Sequence, residues 1–183
     1  MTAPVSAAQA GGPAPRRRVF FALWPDAATR KAIVRASRQA VRRSGGRAVP
    51  EANLHITLAF LGPITPEDLD RVLAIEPPPC RPFGLRLERL GFWDGSRVLW
   101  IGPAETPPAL LEFEQALWDG LVALGFTRER RIYQPHLTVA RKAQAARGEV
   151  TAVTWPVSGI ALVESRPSPR SARYEVLREW AFA

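Results

Sequence analysis

The hydrophobic pattern along this chain switches repeatedly between the two-residue period of a strand and the 3.6-residue period of a helix. Val19-Phe20-Phe21-Ala22-Leu23-Trp24 is a short apolar strand stopped by Pro25. Residues 27–43 then place Ile33, Ala36, Ala40 and Val41 on one side and Arg30, Arg35, Arg38 and Arg42 on the other, the spacing of an amphipathic helix, which Ser44-Gly45-Gly46 stops. A second strand is predicted over residues 54–61. Thr65-Pro66-Glu67-Asp68 supplies a capping hydroxyl, a proline at the first helical position and acids in the first turn, so a short helix runs to about Ile75.

Pro77-Pro78-Pro79 breaks the chain. Beyond it, Phe83, Leu85 and Leu87 alternate with Arg86 and Glu88, which predicts one half-exposed strand over 83–92. Asp94-Gly95 is a hairpin signal and Val98-Leu99-Trp100-Ile101 the return strand. Thr106-Pro107 repeats the cap-plus-proline device, and Leu110, Phe113, Leu117, Leu121 and Leu124 trace a helical stripe closed by Gly125. Strands are predicted at 135–141, 157–164 and 173–178, with a polar basic loop at 142–148. This order is α+β and antiparallel: a parallel sheet needs a helix between successive strands, which the Asp94-Gly95 hairpin disfavours. A chain of 183 residues matches a single domain, here 18–183, after a flexible Ala/Gly/Pro-rich tail over 1–17.

Charge narrows the partners. The formal net charge is +8, and 23 of the 25 basic residues are arginines, Lys31 and Lys142 being the lysines. A guanidinium pairs with phosphate through two parallel hydrogen bonds and stacks on bases, so RNA or another nucleotide leads, although an Arg-for-Lys bias also follows from a GC-rich genome. No apolar run approaches the roughly 18 residues of a membrane span, and no basic amphipathic apolar helix suggests a membrane surface. The N-terminus lacks the basic and apolar regions of a signal peptide. A lone Cys80 can form no internal disulfide and no Cys-based zinc or iron–sulfur site. The expectation is a soluble, unexported, cytoplasmic monomer.

The two histidines of the chain carry the chemistry. They open the same pattern 81 residues apart, Leu54-His55-Ile56-Thr57-Leu58-Ala59 and Pro135-His136-Leu137-Thr138-Val139-Ala140. Strand alternation places His55, Thr57 and Ala59 on one face and Ile56, Leu58 and Phe60 on the other, and likewise His136, Thr138 and Ala140 opposite Leu137 and Val139. Each strand would present an imidazole and a hydroxyl side by side, with its apolar face fixed in the core. Packing explains a Thr on a strand, but not its repeated partnership with His.

These motifs, with the stretches 19–25, 53–62, 97–102, 135–141, 162–165 and 174–177, resemble the bacterial and archaeal RNA 2′,3′-cyclic phosphodiesterases, long called 2′-5′ RNA ligases, of the two-histidine phosphoesterase superfamily. The resemblance covers Val19 to about Trp180. It implies a bilobal fold of two pseudo-symmetric lobes, each an antiparallel sheet backed by helices, around a central cleft lined by both motif strands. It also implies that His55 donates a proton to the departing 3′ oxygen, that His136 accepts one from water, and that Thr57 and Thr138 hold the non-bridging phosphate oxygens. The product would be a 2′-phosphomonoester, formed without a metal or other cofactor from an RNA or oligonucleotide with a 2′,3′-cyclic end. The reverse reaction would join such an end to a 5′-hydroxyl.

Three further residues are candidate substrate contacts. Arg141 closes the second motif as an arginine often does in that family, although strict alternation turns it away from His136 unless the strand ends or bulges. Arg131 and Tyr133 lie where a rim contact to phosphate or a stacked base is possible. Two histidines offer too few ligands for a metallophosphoesterase. The remaining alternative is a non-catalytic RNA- or nucleotide-binding module using the same cleft.

Overall fold

The computed structural model describes residues 15–146, 148–168 and 172–183. Along them run β1 (Arg17–Leu23), α1 (Ala27–Arg43), β2 (Arg47–Ala48), a 3-10 turn (Glu51–Asn53), β3 (Ile56–Ile64), α2 (Pro66–Leu73), β4 (Phe83–Leu87), β5 (Arg89–Trp93), β6 (Val98–Gly102), α3 (Pro108–Ala123), β7 (Leu137–Arg141), β8 (Val153–Val157), β9 (Gly159–Arg166) and β10 (Arg173–Ala181). The tail expected over 1–17 lies outside the described residues as far as residue 14. Arg17 already belongs to β1, and its guanidinium grips Glu164 of β9 at 2.9 and 2.6 Å.

Seven strands form one antiparallel sheet in the order β10-β9-β1-β3-β7-β6-β5, with β2 added to β7, and β4 pairs with β8 apart from it. The sheet has two halves, each built as strand, helix, strand: β1-α1-β3 and β6-α3-β7. They meet at one residue pair, Ile56 with Leu137. The helices cross over, α1 packing on β7 and β8 and α3 on β3, which locks the halves together. The face under the helices is the main core, where Phe21, Leu23, Ile33, Ile56, Ile101 and Leu137 are fully buried. The other face carries a smaller apolar cluster of Phe20, Ala22, Ala161 and Val163, flanked by Trp24, Phe60 and Tyr174.

Local chemistry sets the helix starts. The Asp26 carboxylate accepts the Thr29 N–H at 2.6 Å, and the Thr65 hydroxyl accepts the Asp68 N–H at 3.1 Å ahead of Pro66. Thr106, expected to cap the third helix, does not: α3 starts at Pro108 after an extended Pro107 with no side-chain cap. A residue before proline is pushed out of the helical region, and two prolines in succession move the start one residue on.

Two predicted strands divide. The stretch 83–92 splits at Glu88, whose N–H turns to the Gly102 carbonyl at 3.0 Å, so β4 joins β8 while β5 joins β6. The strand predicted at 157–164 touches β8 only at its last residue, Val157, and otherwise is β9, which starts at Gly159 after Ser158; residues 153–156 of β8 lie outside the predicted strands. At Glu88 the apolar positions change phase, from 83, 85 and 87 to 90 and 92, and past Ser158 the half-exposed pattern of β8 gives way to a strand buried on both faces, so in both places the pattern changes with the partner.

Candidate active site

In an antiparallel pair the residue before one partner faces the residue after the other. The pairing of Ile56 with Leu137 therefore sets His55 beside Thr138 and Thr57 beside His136, all four on the face opposite the helices. The two histidines are then diagonal neighbours, at about 7–8 Å in ordinary sheet geometry. Each imidazole sits one residue ahead of its strand, since β3 begins at Ile56 and β7 at Leu137 rather than at 54 and 135.

The two rings are anchored alike. His55 Nδ1 lies 2.7 Å from the Asn53 carbonyl and His136 Nδ1 2.9 Å from that of Gln134, in each case two residues upstream. A carbonyl only accepts, so Nδ1 carries the proton and Nε2 is the nitrogen left for chemistry. Asn53 is itself tied down, its side-chain amide donating to the Ala172 carbonyl at 2.7 Å.

Past the threonines both motif strands break alternation in the same way. Thr57 pairs with Ala22 and Ala59 with Phe21, leaving Leu58 as an extra residue. Thr138 pairs with Trp100 and Ala140 with Leu99, leaving Val139 as the extra residue. Each is a β-bulge, which puts two successive side chains into the core and re-aims the residue after them. Ala59 and Ala140, expected on the open face, are buried in the core, and the equivalent residues one step on, Phe60 and Arg141, turn to the cleft instead. The bulge thus removes the objection that alternation raised against Arg141. Lys142 comes next with φ 54°, ending the strand, and Arg97 fixes the turn by donating to the Ala143 carbonyl at 3.2 Å while its own carbonyl accepts the Ala143 N–H at 3.0 Å.

The cleft has two compartments that share Thr57 and Phe60. The one beside His55, of about 590 Å³, also holds Thr138, Arg18, Arg47, Arg141 and Lys142, with no acid among its described lining residues. The one beside His136, of about 690 Å³, is lined by Trp93, Trp118 and Tyr133, with Glu114 and Glu129 facing Arg128 and Arg131. Arg131 is exposed on this rim, and the Tyr133 ring packs on the core with its hydroxyl buried and without a partner. The candidate contacts thus fall on both sides, Arg141 with His55 and Arg131 and Tyr133 with His136.

Rings enclose both imidazoles. Phe20, Trp24 and Tyr174 have centroids 4.9, 5.7 and 5.2 Å from His55, and Trp93 and Trp100 lie 4.3 and 6.4 Å from His136. Burial disfavours the charged ring, and the nearby positive charges of His136 and Arg141 add to it, so His55 is pushed down to about 4 despite its bond to Asn53. His136 is lowered for the same first reason, with Arg141 contributing. Among the described residues no three His, Cys, Asp or Glu side chains group as metal ligands.

The family model described as the 2′-5′ RNA ligase superfamily matches residues 24–168, which takes in both motifs, both motif strands and all three helices. The chain belongs to this superfamily. Among curated proteins it is 33% identical to an RNA 2′,3′-cyclic phosphodiesterase of Thermus thermophilus, over 90% of this chain and 89% of that protein. It is 31% identical to a protein of the same name from Escherichia coli, over 90% and 96%. Among solved structures, that of E. coli LigT complexed with 3′-AMP superposes with a TM-score of 0.80 at 28% identity, covering 92% of this chain and 98% of that one. The bilobal two-histidine phosphoesterase fold that the resemblance implied is the fold found.

Sequence reasoning within the superfamily motifs missed Phe60, which it buried, and Arg18, whose guanidinium lies 4.5 Å over the Phe60 ring in the basic compartment. It also missed Asn53, although that residue stands two before His55 as Gln134 stands two before His136, a repeated offset visible in the sequence.

Proposed function

We propose that this protein opens RNA 2′,3′-cyclic phosphate ends to 2′-phosphomonoesters, with His55 as proton donor, His136 as proton acceptor and Thr57 and Thr138 on the phosphate. The observation that carries this is the register of Ile56 with Leu137, which sets two imidazole–hydroxyl pairs diagonally on one face. A phosphate between them would have one Nε2 on either side, as in-line displacement needs. Water entering on the His136 side loses its proton to Nε2 as its oxygen bonds to phosphorus. The bond from phosphorus to the 3′ oxygen breaks, and His55 Nε2 returns a proton to that oxygen. The hydroxyls, with Arg141, would stabilise the charge that grows on the non-bridging oxygens.

Because the Asn53 carbonyl already takes the Nδ1 proton, His55 can donate from Nε2 only as the imidazolium. Its burial works against that form in the free protein, whereas an anionic phosphate beside it works for it. Substrate would thus help charge its own acid. Both histidines and both threonines come from one chain, so a monomer acting in the cytoplasm, where RNA is processed, is the proposed state.

Purified protein incubated in EDTA with a short RNA ending in a 2′,3′-cyclic phosphate tests the reading. The expected product is the 2′-phosphate, resistant to enzymes that need a 3′-phosphate. An RNA bound but left intact would make the cleft a binding module.

A further inference from the structure

We infer that Asn53 is a positioning residue for the acid: its side chain clamps the carbonyl that aims His55 to the wall of the basic compartment. This rests on the reading of His55 as proton donor.

The two imidazoles use the same anchor, and the protein fixes that anchor differently in the two halves. The carbonyl under His136 belongs to Gln134, an exposed residue in a segment, 126–136, without helix or strand, and the Gln134 side chain bonds to no described residue. The carbonyl under His55 is held from two sides. Around it the 3-10 turn closes, the Asn53 N–H donating to the Pro50 carbonyl at 2.8 Å and the Leu54 N–H to that of Glu51 at 3.2 Å. The Asn53 amide then reaches a partner 119 residues along the chain, donating to the Ala172 carbonyl at 2.7 Å.

Ala172 stands one residue ahead of β10, and with Ser165, Pro167 and Tyr174 it walls the compartment that holds Arg18 and Arg141. The same stretch meets the ring itself. Tyr174 stands edge-on to His55, at 89° with 5.2 Å between centroids. The end of the β9–β10 hairpin therefore grips His55 twice, once through Asn53 and once through the Tyr174 ring.

A donor needs a fixed aim more than an acceptor does. The departing 3′ oxygen stays tethered to the ribose, so Nε2 must come to it within roughly 2.6–3.2 Å, whereas a water molecule can follow a base that shifts. The bond from Nδ1 to the Asn53 carbonyl sets the plane of the ring and favours its charged form. Without the clasp on Ala172, the peptide after Asn53 is free to turn and that bond loosens.

Asn53→Leu tests this, since it keeps nearly the same side-chain volume and removes the donor. With a cyclic-ended RNA, kcat should fall about tenfold while KM stays within about twofold. With a 3′-deoxynucleoside 2′-phosphodiester of an activated phenol, whose leaving oxygen needs no proton, the variant should stay within about twofold of the parent, which also shows that it folds. In a His55→Ala background the same substitution should cost the RNA reaction no more than about twofold further, because the residue acts through the ring. An undiminished RNA rate, a loss of similar size on both substrates, or a tenfold loss that persists without His55 overturns the inference. Failure of His55→Ala to recover on the phenol diester overturns instead the reading on which it rests.

Discussion

The two halves of the cleft share a backbone and differ in what they hang on it. Each has a histidine tied through Nδ1 to the carbonyl two residues back, a threonine two residues on, and a bulge that buries the next two side chains. At the position the bulge re-aims, one half has Phe60 and the other Arg141. Three rings crowd His55 and two crowd His136, and the basic side chains beside His55 stand without an acid among the described lining residues, while beside His136 Glu114 and Glu129 balance Arg128 and Arg131. Symmetry of the main chain supplies two imidazoles that face one cleft, on the proposed reading one on either side of a phosphate. Asymmetry of the side chains is what can make one an acid and the other a base.

The largest effect expected is loss of either ring. His55→Ala or His136→Ala should each lower turnover of a cyclic-ended RNA about 10²-fold or more in a steady-state assay, because each half supplies a step that the other cannot. Full activity in either variant would end the two-histidine mechanism.

Next come the residues that differ at the re-aimed position. Arg141→Ala should cost about 10- to 100-fold in kcat, as loss of a charge-stabilising donor does, with partial recovery in Arg141→Lys. Phe60→Ala should cost less and mainly raise KM, since Phe60 offers a wall and a seat for Arg18 rather than a charge. Equal losses in kcat would mean that Phe60 bears on the phosphate as much as Arg141 does.

Charge segregation predicts a salt effect. Affinity for a cyclic-ended oligonucleotide should fall with salt, and Arg18→Gln with Lys142→Gln should flatten the log–log slope by about 0.7 for each phosphate pairing removed on single-stranded RNA. The exposed α1 residues Arg35 and Arg38, outside both compartments, should leave it unchanged when replaced.

The smallest effect is a displacement of pH optima. Burial lowers both histidines in the free protein, so the window with one ring charged and one neutral lies below the ordinary histidine range near 6.5, and that window governs kcat/KM. A bound phosphate anion favours both charged forms and should move the kcat optimum up by about one pH unit, the two apparent constants belonging to the pair. Arg141→Ala removes a positive charge that holds both rings down, so its kcat/KM optimum should move up as well. Coincident optima would contradict substrate-assisted charging of the acid.

Much of this site was legible in the amino-acid sequence, because its parts are local. A histidine, a threonine two on and an apolar residue between them announce a strand with one working face, and a repeat of that unit announces a shared site. What the sequence hid depends on pairing. Leu58 and Val139 are ordinary strand residues, and only the registers against β1 and β6 make them bulges that turn Phe60 and Arg141 into the cleft. The split at Glu88 was half visible, since the apolar positions change phase there, but periodicity reports which side of a strand is dry and not which strand lies next to it. Thr106 failed as a cap for a local reason, the doubled proline, that was visible in the chain.

The difference between the halves is tested most directly by a substrate whose leaving oxygen needs no protonation and which has no neighbouring hydroxyl to attack in place of water, such as a 3′-deoxynucleoside 2′-phosphodiester of an activated phenol. On it, His55→Ala should recover most of the parent rate, because no acid is required, while His136→Ala should stay deeply impaired, because water must still lose its proton. Equal rescue of the two variants, or rescue of His136→Ala alone, would contradict the assignment of His55 as donor and His136 as acceptor.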